Sequence, residues 1–155
     1  MVLWKMTKGP KNLEEIRRIE RELNVIFPDE FVSCVLAFDG GRPDPNQFNT
    51  NKRNGYFMHH LLSFREEPGD NSYGILNLVY LNKTAFPHGV VPFGYEETGD
   101  LICFDFKYHP QIPSVVLWRH EIAPEEEDVG SQEEMRRIGL EYISKSFSEF
   151  IESLY

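Results

Sequence analysis

Residues 90–106 read VVPFGYEETGDLICFDF, and this stretch decides the fold. Two apolar and aromatic runs flank a Thr98-Gly99 pair, a pattern typical of a β-hairpin with a two-residue loop. We therefore predict strands over residues 90–95 and 100–106, joined by a tight turn. The stretch also carries four acids that could do acid–base chemistry or bind a metal, namely Glu96, Glu97, Asp100 and Asp105.

Side-chain alternation along the two strands separates these four acids. With a two-residue loop, Glu97 and Asp100 lie opposite each other at an exposed tip, a like-charge contact. Glu96 and Asp105 share the other face about 13 Å apart, beyond the ~5–9.5 Å that separates paired catalytic carboxylates in glycosidases. We interpret the tip acids as groups that keep the hairpin soluble, with partner contact and metal or catalytic chemistry as alternatives. Asp105 lies between two phenylalanines, which predicts a partly buried carboxyl with a structural hydrogen bond.

Two helices are predicted before the hairpin. The first follows Asn12, a capping residue with Glu15 in the capping-box position, and its apolar stripe consists of Leu13, Ile16, Ile19 and Leu23. The second begins at Pro28, because proline suits the first helical position. It ends where Gly40 and Gly41 permit a left-handed cap, and its buried stripe is Phe31, Val32, Val35 and Leu36.

The rest of the chain supplies further strands and a closing helix. We predict a mobile surface loop over residues 42–55, strands over 56–64 and 115–120, and a helix over 72–82. The segment SFSEFIESL predicts the last helix, with Ser146 and Glu149 in capping-box spacing. This order predicts one α+β domain over residues 1–155, with a mainly antiparallel central sheet flanked by helices.

The formal net charge is −9, which argues against direct nucleic-acid binding because that function requires a basic face. No apolar run approaches the ~20 residues of a membrane span. The start, MVLWKMTKGPK, lacks the pattern of a signal peptide, so a cytoplasmic location is expected.

The segment between His120 and Met135 contains seven acids and no Lys or Arg. Two interpretations remain open. It is a solvated loop, or it is an acidic surface that attracts a basic protein partner and speeds the encounter. In the second case the candidate contact residues are Glu125, Glu126, Glu127 and Asp128, together with Glu96, Glu97 and Asp100 of the hairpin.

No pattern predicts an enzyme, a metal site or a cofactor. Cys34 and Cys103 are expected to be buried free thiols in a cytosolic chain, with a disulfide between them as the alternative. Their apolar settings do not favour a reactive thiolate. His59 and His60 are adjacent on a strand and are therefore expected to diverge, and the other histidines lack metal-ligand spacing. Neither a phosphate-binding loop nor a Ser-centred elbow is present.

Five segments in order, IERELNVIFPDEFVSCVLAFDGG, LLSF, VVPFGYEETGDLICFDF, PSVVLWRHE and SKSFSEFIESL, resemble the SUKH superfamily over residues 13–154. This superfamily comprises fungal cell-wall-synthesis regulators of the Smi/Knr type and bacterial immunity proteins that neutralise toxins. Its members typically have Asn-Gly-Gly after the second helix, whereas this chain has Asp39-Gly40-Gly41. The resemblance implies an α+β domain with a non-catalytic, protein-binding role. It also implies fold-keeping roles for Pro28, Gly40, Gly41, Gly99, Asp100, Asp105 and Phe147.

The resemblance implies two functions. The first is an immunity protein that binds a cognate toxin, often a nuclease, and the charge of −9 suits such a basic target. The second is a regulatory adaptor that binds an endogenous cell-wall or signalling protein.

Overall fold

The structure, a computed structural model, describes residues 1–9, 11–64 and 74–155. Within these residues the strands are β1 (Leu3–Lys5), β2 (Arg42–Asp44), β3 (Gln47–Phe48), β4 (Tyr56–Leu61), β5 (Val90–Glu96), β6 (Leu101–Asp105), β7 (Ser114–Trp118) and β8 (Leu140–Ser144). The helices are α1 (Leu13–Leu23), α2 (Asp29–Phe38), α3 (Ile75–Leu81), α4 (Glu126–Val129), α5 (Gln132–Gly139) and α6 (Phe147–Ser153).

Strands β3 to β8 form one six-stranded sheet in which each strand pairs antiparallel with its neighbour in the chain. A separate two-stranded sheet joins β1 to β2. The predicted α+β class, with a mainly antiparallel sheet and flanking helices, is confirmed.

One face of the six-stranded sheet packs against α1, α2 and α6 through a core rich in phenylalanine. Phe31 of α2 is fully buried, and its ring centroid lies 5.0 Å from that of Phe104 and 5.3 Å from that of Phe147. Phe93 stacks on Phe104 at 4.2 Å, which joins β5 to β6 on this face. Such rings contribute both buried apolar area and favourable edge and stacking contacts. Phe147, a fold-keeping residue by resemblance, is indeed part of the core.

The opposite face carries a smaller cluster on β5, β6 and β7. Cys103 and Trp118 are buried there, and the Trp118 indole N–H donates a 3.1 Å hydrogen bond to the carbonyl of Ala85. The segment before β5 therefore covers this face.

Three helices begin with the same side-chain cap. The side chains of Asn12, Ser131 and Ser146 accept hydrogen bonds from the backbone N–H three residues later, at 2.9, 3.1 and 3.2 Å. The caps predicted for α1 and α6 are confirmed. In α1 the predicted stripe is buried at Ile16 and Ile19, but Leu13 is 45% exposed.

Helix α2 differs from the prediction at its first residue. Pro28 is its N-cap, with φ −56° and ψ 144°, and the first helical residue is Asp29. The helix ends in a turn closed by a 2.8 Å hydrogen bond from Gly41 N to Phe38 O. Gly40 has the left-handed φ of +70°, as glycine permits without steric cost. Gly41 is needed for a different reason, because a Cβ there would lie 2.8 Å from Phe38 O.

The prediction of a mobile loop over residues 42–55 is wrong. This segment contains β2 and β3, and Pro43 and Phe48 within it are buried. Phe48 stacks on Tyr56 at 5.6 Å and contacts the ring of Phe150 at 5.5 Å. The polar composition of the segment did not indicate that Pro43 and Phe48 are buried.

The remaining predicted elements are present with adjusted bounds. Helix α3 covers seven residues of the helix predicted over 72–82, whose first two residues lie outside the described residues. The strand predicted over 56–64 ends at Leu61, and the one predicted over 115–120 runs from Ser114 to Trp118. Among the described residues, no helix has the length and hydropathy that a membrane span requires.

Candidate partner-binding surface

The hairpin of β5 and β6 turns through three residues rather than two. Gly99 N donates to Glu96 O at 3.0 Å, and Glu96 N donates to Asp100 O at 2.9 Å. Gly99 has φ +103°, so a glycine at the last loop position fits a three-residue hairpin. A bulge between Pro92 and Gly94 shifts the pairing by one more residue. The predicted register, which opposes Glu97 to Asp100, is therefore wrong.

Asp100 is buried instead of lying at an exposed tip, with 4% of its side chain accessible. The guanidinium of Arg119 lies 2.9 Å from one Asp100 oxygen, and the other oxygen accepts a 3.1 Å hydrogen bond from His120 N. The His120 ring Nδ1 lies 2.6 Å from that second oxygen. Asp100 thus ties the end of the hairpin to the end of β7, which fits the fold-keeping role implied by the resemblance.

The same Arg119 bridges to a second buried acid, Glu141 of β8, at 2.8 Å. Glu141 also accepts hydrogen bonds from the hydroxyls of Thr50 and Tyr56, at 2.7 and 3.1 Å. This buried network therefore joins five parts of the chain. They are the segment that follows β3, strand β4, the residue before β6, the residue after β7, and strand β8. We call the set Asp100, Arg119 and Glu141 the buried ion cluster.

Burial, charge and hydrogen bonding shift the pKa values of Glu141, Tyr56 and Arg119. Burial on its own would raise the pKa of Glu141, but hydrogen bonds from Thr50, Arg119 and Tyr56 outweigh it and lower the pKa. Burial, followed by the Glu141 charge, raises the pKa of Tyr56, so its hydroxyl remains a donor. Burial would lower the pKa of Arg119, whereas its hydrogen bond to Glu141 and the acids around it raise it. Glu141 and Arg119 therefore form an ion pair at neutral pH.

The other hairpin acids are also engaged within the chain. Glu96 is 1% exposed and accepts hydrogen bonds from the backbone N–H and the hydroxyl of Thr98. Glu97 is exposed at 38% of its side chain and pairs with Arg42 at 3.0 Å. Asp105 is 5% exposed and binds Arg136 and Lys107 N, which confirms the predicted structural hydrogen bond. The hairpin acids have separate partners and do not converge.

The acidic segment, defined as residues 121–134, differs from the hairpin because many of its acids are exposed. It contains α4, ended by Gly130 at φ +86°, and the start of α5, so the predicted loop includes two helical pieces. Glu125 accepts a 2.9 Å hydrogen bond from Thr84, and Glu126 accepts one of 2.8 Å from Gln132. Within the described parts of the chain, Glu127 and Asp128 have no side-chain hydrogen bond or ion pair.

A cleft of about 1590 Å³ lies close to this segment and is open to solvent. One wall is the end of α1 and the connection to α2, residues 23–30. A second wall is the segment that leads into β5, residues 86–91 with Lys83, and a third is Phe106 with residues 110–112. Sequence reasoning missed this cleft. The sequence feature that could have indicated it is the apolar run Val25-Ile26-Phe27, which lies between two helices. In the structure Phe27 is buried, whereas Ile26 beside it is 72% exposed and lines the cleft.

The histidines and cysteines add no reactive site. His59 and His60 do not diverge as predicted, because their Nδ1 atoms lie 2.7 Å apart. Burial, followed by the charges of His59, Lys8 and Arg42, lowers the pKa of His60 to about 4, so the His60 ring is neutral at pH 7. Both cysteines are free, with Cys103 buried and Cys34 half-buried. In the part of the chain that the structure describes, no three His, Cys, Asp or Glu side chains converge on a metal position.

Comparison with known proteins agrees with this arrangement. The family model described as the SMI1 / KNR4 family (SUKH-1) matches residues 10–153. A search of the curated proteins finds no match. The matched residues include the hairpin, the buried ion cluster and the acidic segment.

Proposed function

This chain belongs to the SMI1 / KNR4 family (SUKH-1), and from that membership we propose that it is an immunity protein that neutralises a basic toxin domain. The observation that carries the proposal is the exposed and unpaired charge of α4. Glu127 and Asp128 are exposed and, among the described residues, lack a side-chain partner, so no cation within the fold offsets their attraction for an approaching basic protein.

The chemistry of the partner follows from this charge. A toxin that cuts nucleic acid binds a polyanion and therefore carries a basic active-site face. An acidic surface on an immunity protein is complementary to such a face, and complementary charge mainly increases the association rate. The contact surface that we propose comprises Glu125, Glu126, Glu127, Asp128 and the exposed hairpin acid Glu97. Glu96 and Asp100 are left out because their side chains are buried.

The first experiment identifies the partner. The tagged protein is expressed in its own cell, captured at low and at moderate salt, and the proteins that accompany it are identified. A basic toxin domain that is released as salt rises supports the proposal. A cell-wall enzyme or signalling protein captured in its place supports the regulatory adaptor.

A matched pair of charge reversals then tests the surface with the purified toxin domain. Glu127→Lys with Asp128→Lys changes the net charge by the same amount as Glu22→Lys with Glu152→Lys on α1 and α6, and all four residues are exposed. We expect the α4 variant to slow association about tenfold at low salt, and the control variant to slow it much less. Adding salt should remove the difference. Equal association rates for the two variants would refute the acidic contact surface.

A further inference from the structure

The cleft beside the acidic segment has exposed aliphatic side chains on two of its walls. Ile26 is 72% exposed and Ile112 is 59% exposed, and both line the cleft. Its floor includes the buried Phe27, Phe86 and Phe106. Large exposed apolar side chains around a concave surface mark an interaction site, because a monomer gains nothing from leaving them in water.

The dimensions of the cleft favour a polypeptide segment over a small molecule. Its volume of about 1590 Å³ exceeds the ~300–1,000 Å³ that is usual for small-ligand pockets. It is also open to solvent, whereas small ligands are mostly enclosed. An open groove with an apolar floor is the setting in which proteins bind an amphipathic segment of a partner.

The charges around the α2 side of the cleft leave an excess of acid. Two ion pairs of α1 are internally balanced, Arg17 with Glu20 at 2.6 Å and Arg21 with Glu14 at 2.9 Å. Asp29 and Glu30, at the start of α2, are exposed and have no side-chain hydrogen bond or ion pair within the described ranges. Asp29 also interacts electrostatically with Arg17, and the side chains that line this wall carry two more negative than positive charges in total.

The opposite wall is backed by the acidic segment. Thr84 donates to Glu125 at 2.9 Å, and His88 N donates to the Gln132 side chain at 2.8 Å, so residues 84–88 separate the cleft from α4. Lys83 and His88 line this wall, and the Lys83 Nζ lies 5.4 Å from the centroid of the Tyr80 ring. Acid thus lies beside the apolar floor at the start of α2, and the acids of α4 lie behind the opposite wall.

We propose that this cleft binds a basic amphipathic segment of the partner protein. The apolar side chains of the segment lie between Ile26 and Ile112, and its Lys or Arg side chains reach Asp29 and Glu30 on one side and the α4 acids on the other. This inference rests on the proposed function, since it places part of the same toxin partner, and it adds an apolar anchor to a surface otherwise defined by charge.

A defined probe tests the cleft without the toxin. The probe is a fluorescent 16-residue peptide of Leu and Lys in an amphipathic helical pattern, and the controls replace every Lys by Glu or every Leu by Ser. Binding is followed by fluorescence anisotropy. We expect only the Leu/Lys peptide to bind, and Ile26→Ser and Ile112→Ser each to weaken it about fivefold or more. The control Leu3→Ser removes a side chain of similar exposure, 58%, on β1 outside the cleft, and should leave binding unchanged.

Several results would overturn the inference. These are binding that is insensitive to both isoleucine variants, equal binding of the Leu/Glu peptide, or no binding of the Leu/Lys peptide. A concentration-dependent dimer in sedimentation that Ile26→Ser abolishes would instead assign the cleft to a second copy of this chain. The proposed function is tested separately. If the α4 reversal slows toxin association but Ile26→Ser and Ile112→Ser leave toxin affinity unchanged, only the cleft inference fails.

Discussion

Replacing Arg119 by Met should destabilise the fold strongly at neutral pH and weakly in acid. The Arg119 side chain is 13% exposed and lies within 2.9 Å of Asp100 and Glu141, whose side chains are each 4% exposed. Removing one partner from a buried ion pair costs about 3–5 kcal/mol. Each acid keeps hydrogen bonds from other groups, so we expect the lower end of that range, about 3 kcal/mol at pH 7.

The pH dependence distinguishes lost charge from lost packing. In the native protein the pKa of Glu141 is lowered, so its stabilisation is present above the unfolded-state pKa and is lost as pH falls through the folded-state pKa. In the variant, Glu141 has lost its cation, so its protonation in acid relieves the cost of an unpaired buried charge. The difference in unfolding free energy between the two proteins should therefore shrink to about 1 kcal/mol near pH 4.

Urea denaturation followed by the fluorescence of the buried Trp118 measures both free energies. The control is Arg137→Met on α5. The Arg137 side chain is 67% exposed and pairs with Glu134 on the surface. We expect it to leave stability close to that of the native protein, because exposed ion pairs contribute little. An Arg119→Met loss of the same size at pH 7 and pH 4 would refute the electrostatic explanation.

Three further outcomes are expected. Phe31→Ala removes a fully buried ring and should lower the free energy of unfolding by about 3–5 kcal/mol, whereas Phe38→Ala, at a ring 38% exposed, should cost clearly less in the same urea assay. Burial raises the pKa of Cys34 to about 12 and that of Cys103 well above its usual value. Neither thiol should therefore react rapidly with iodoacetamide at pH 8 until urea is added. Rapid alkylation of the native protein, measured by mass spectrometry, would contradict this. The pKa of His60, lowered to about 4, means that the unfolded chain binds a proton near pH 6.5 before the folded one does. Stability should therefore fall between pH 6.5 and pH 4 by about 1 kcal/mol after solvent screening, and His60→Gln should remove that fall.

Local patterns predicted the helices whose start signals and apolar stripes coincide. Asn12 and Ser146 were recognised as caps because a clear apolar stripe follows each of them. Ser131 has the same spacing to Glu134 and caps α5 in the same way, but only Met135 is fully buried after it apart from a glycine. Without a stripe, the cap alone did not predict the helix. The strands β1 and β2 were missed because each has three residues, too few for alternation to be detected.

The hairpin shows why the candidate site was harder to predict than the fold. The apolar runs determine that β5 and β6 pair, but the register depends on loop length and bulges. Because the loop has one residue more than predicted, Asp100 lies opposite Glu96 and not opposite Glu97. The bulge after Pro92 shifts the pairing of the remaining residues of β5 and β6 by one more position. The partner of Asp100 could not be found locally, because Arg119 approaches it only through the pairing of β6 with β7. Eight residues connect β6 to β7, and a connection of that length does not determine the register in which the two strands pair.

The acids of this chain fall into two classes, and only one of them acts at a distance. Glu96, Asp100, Asp105 and Glu141 are buried, and each of their charges is matched by a hydrogen bond or a cation within the fold. Because an approaching protein responds to net local charge, these residues attract it little even though they dominate the hairpin sequence. The acids of α4 have few such partners, so most of the uncompensated charge of this region is concentrated there. A basic partner should therefore be steered mainly towards α4 and the neighbouring cleft, and Glu97 of the hairpin should contribute less because Arg42 pairs with it at 3.0 Å.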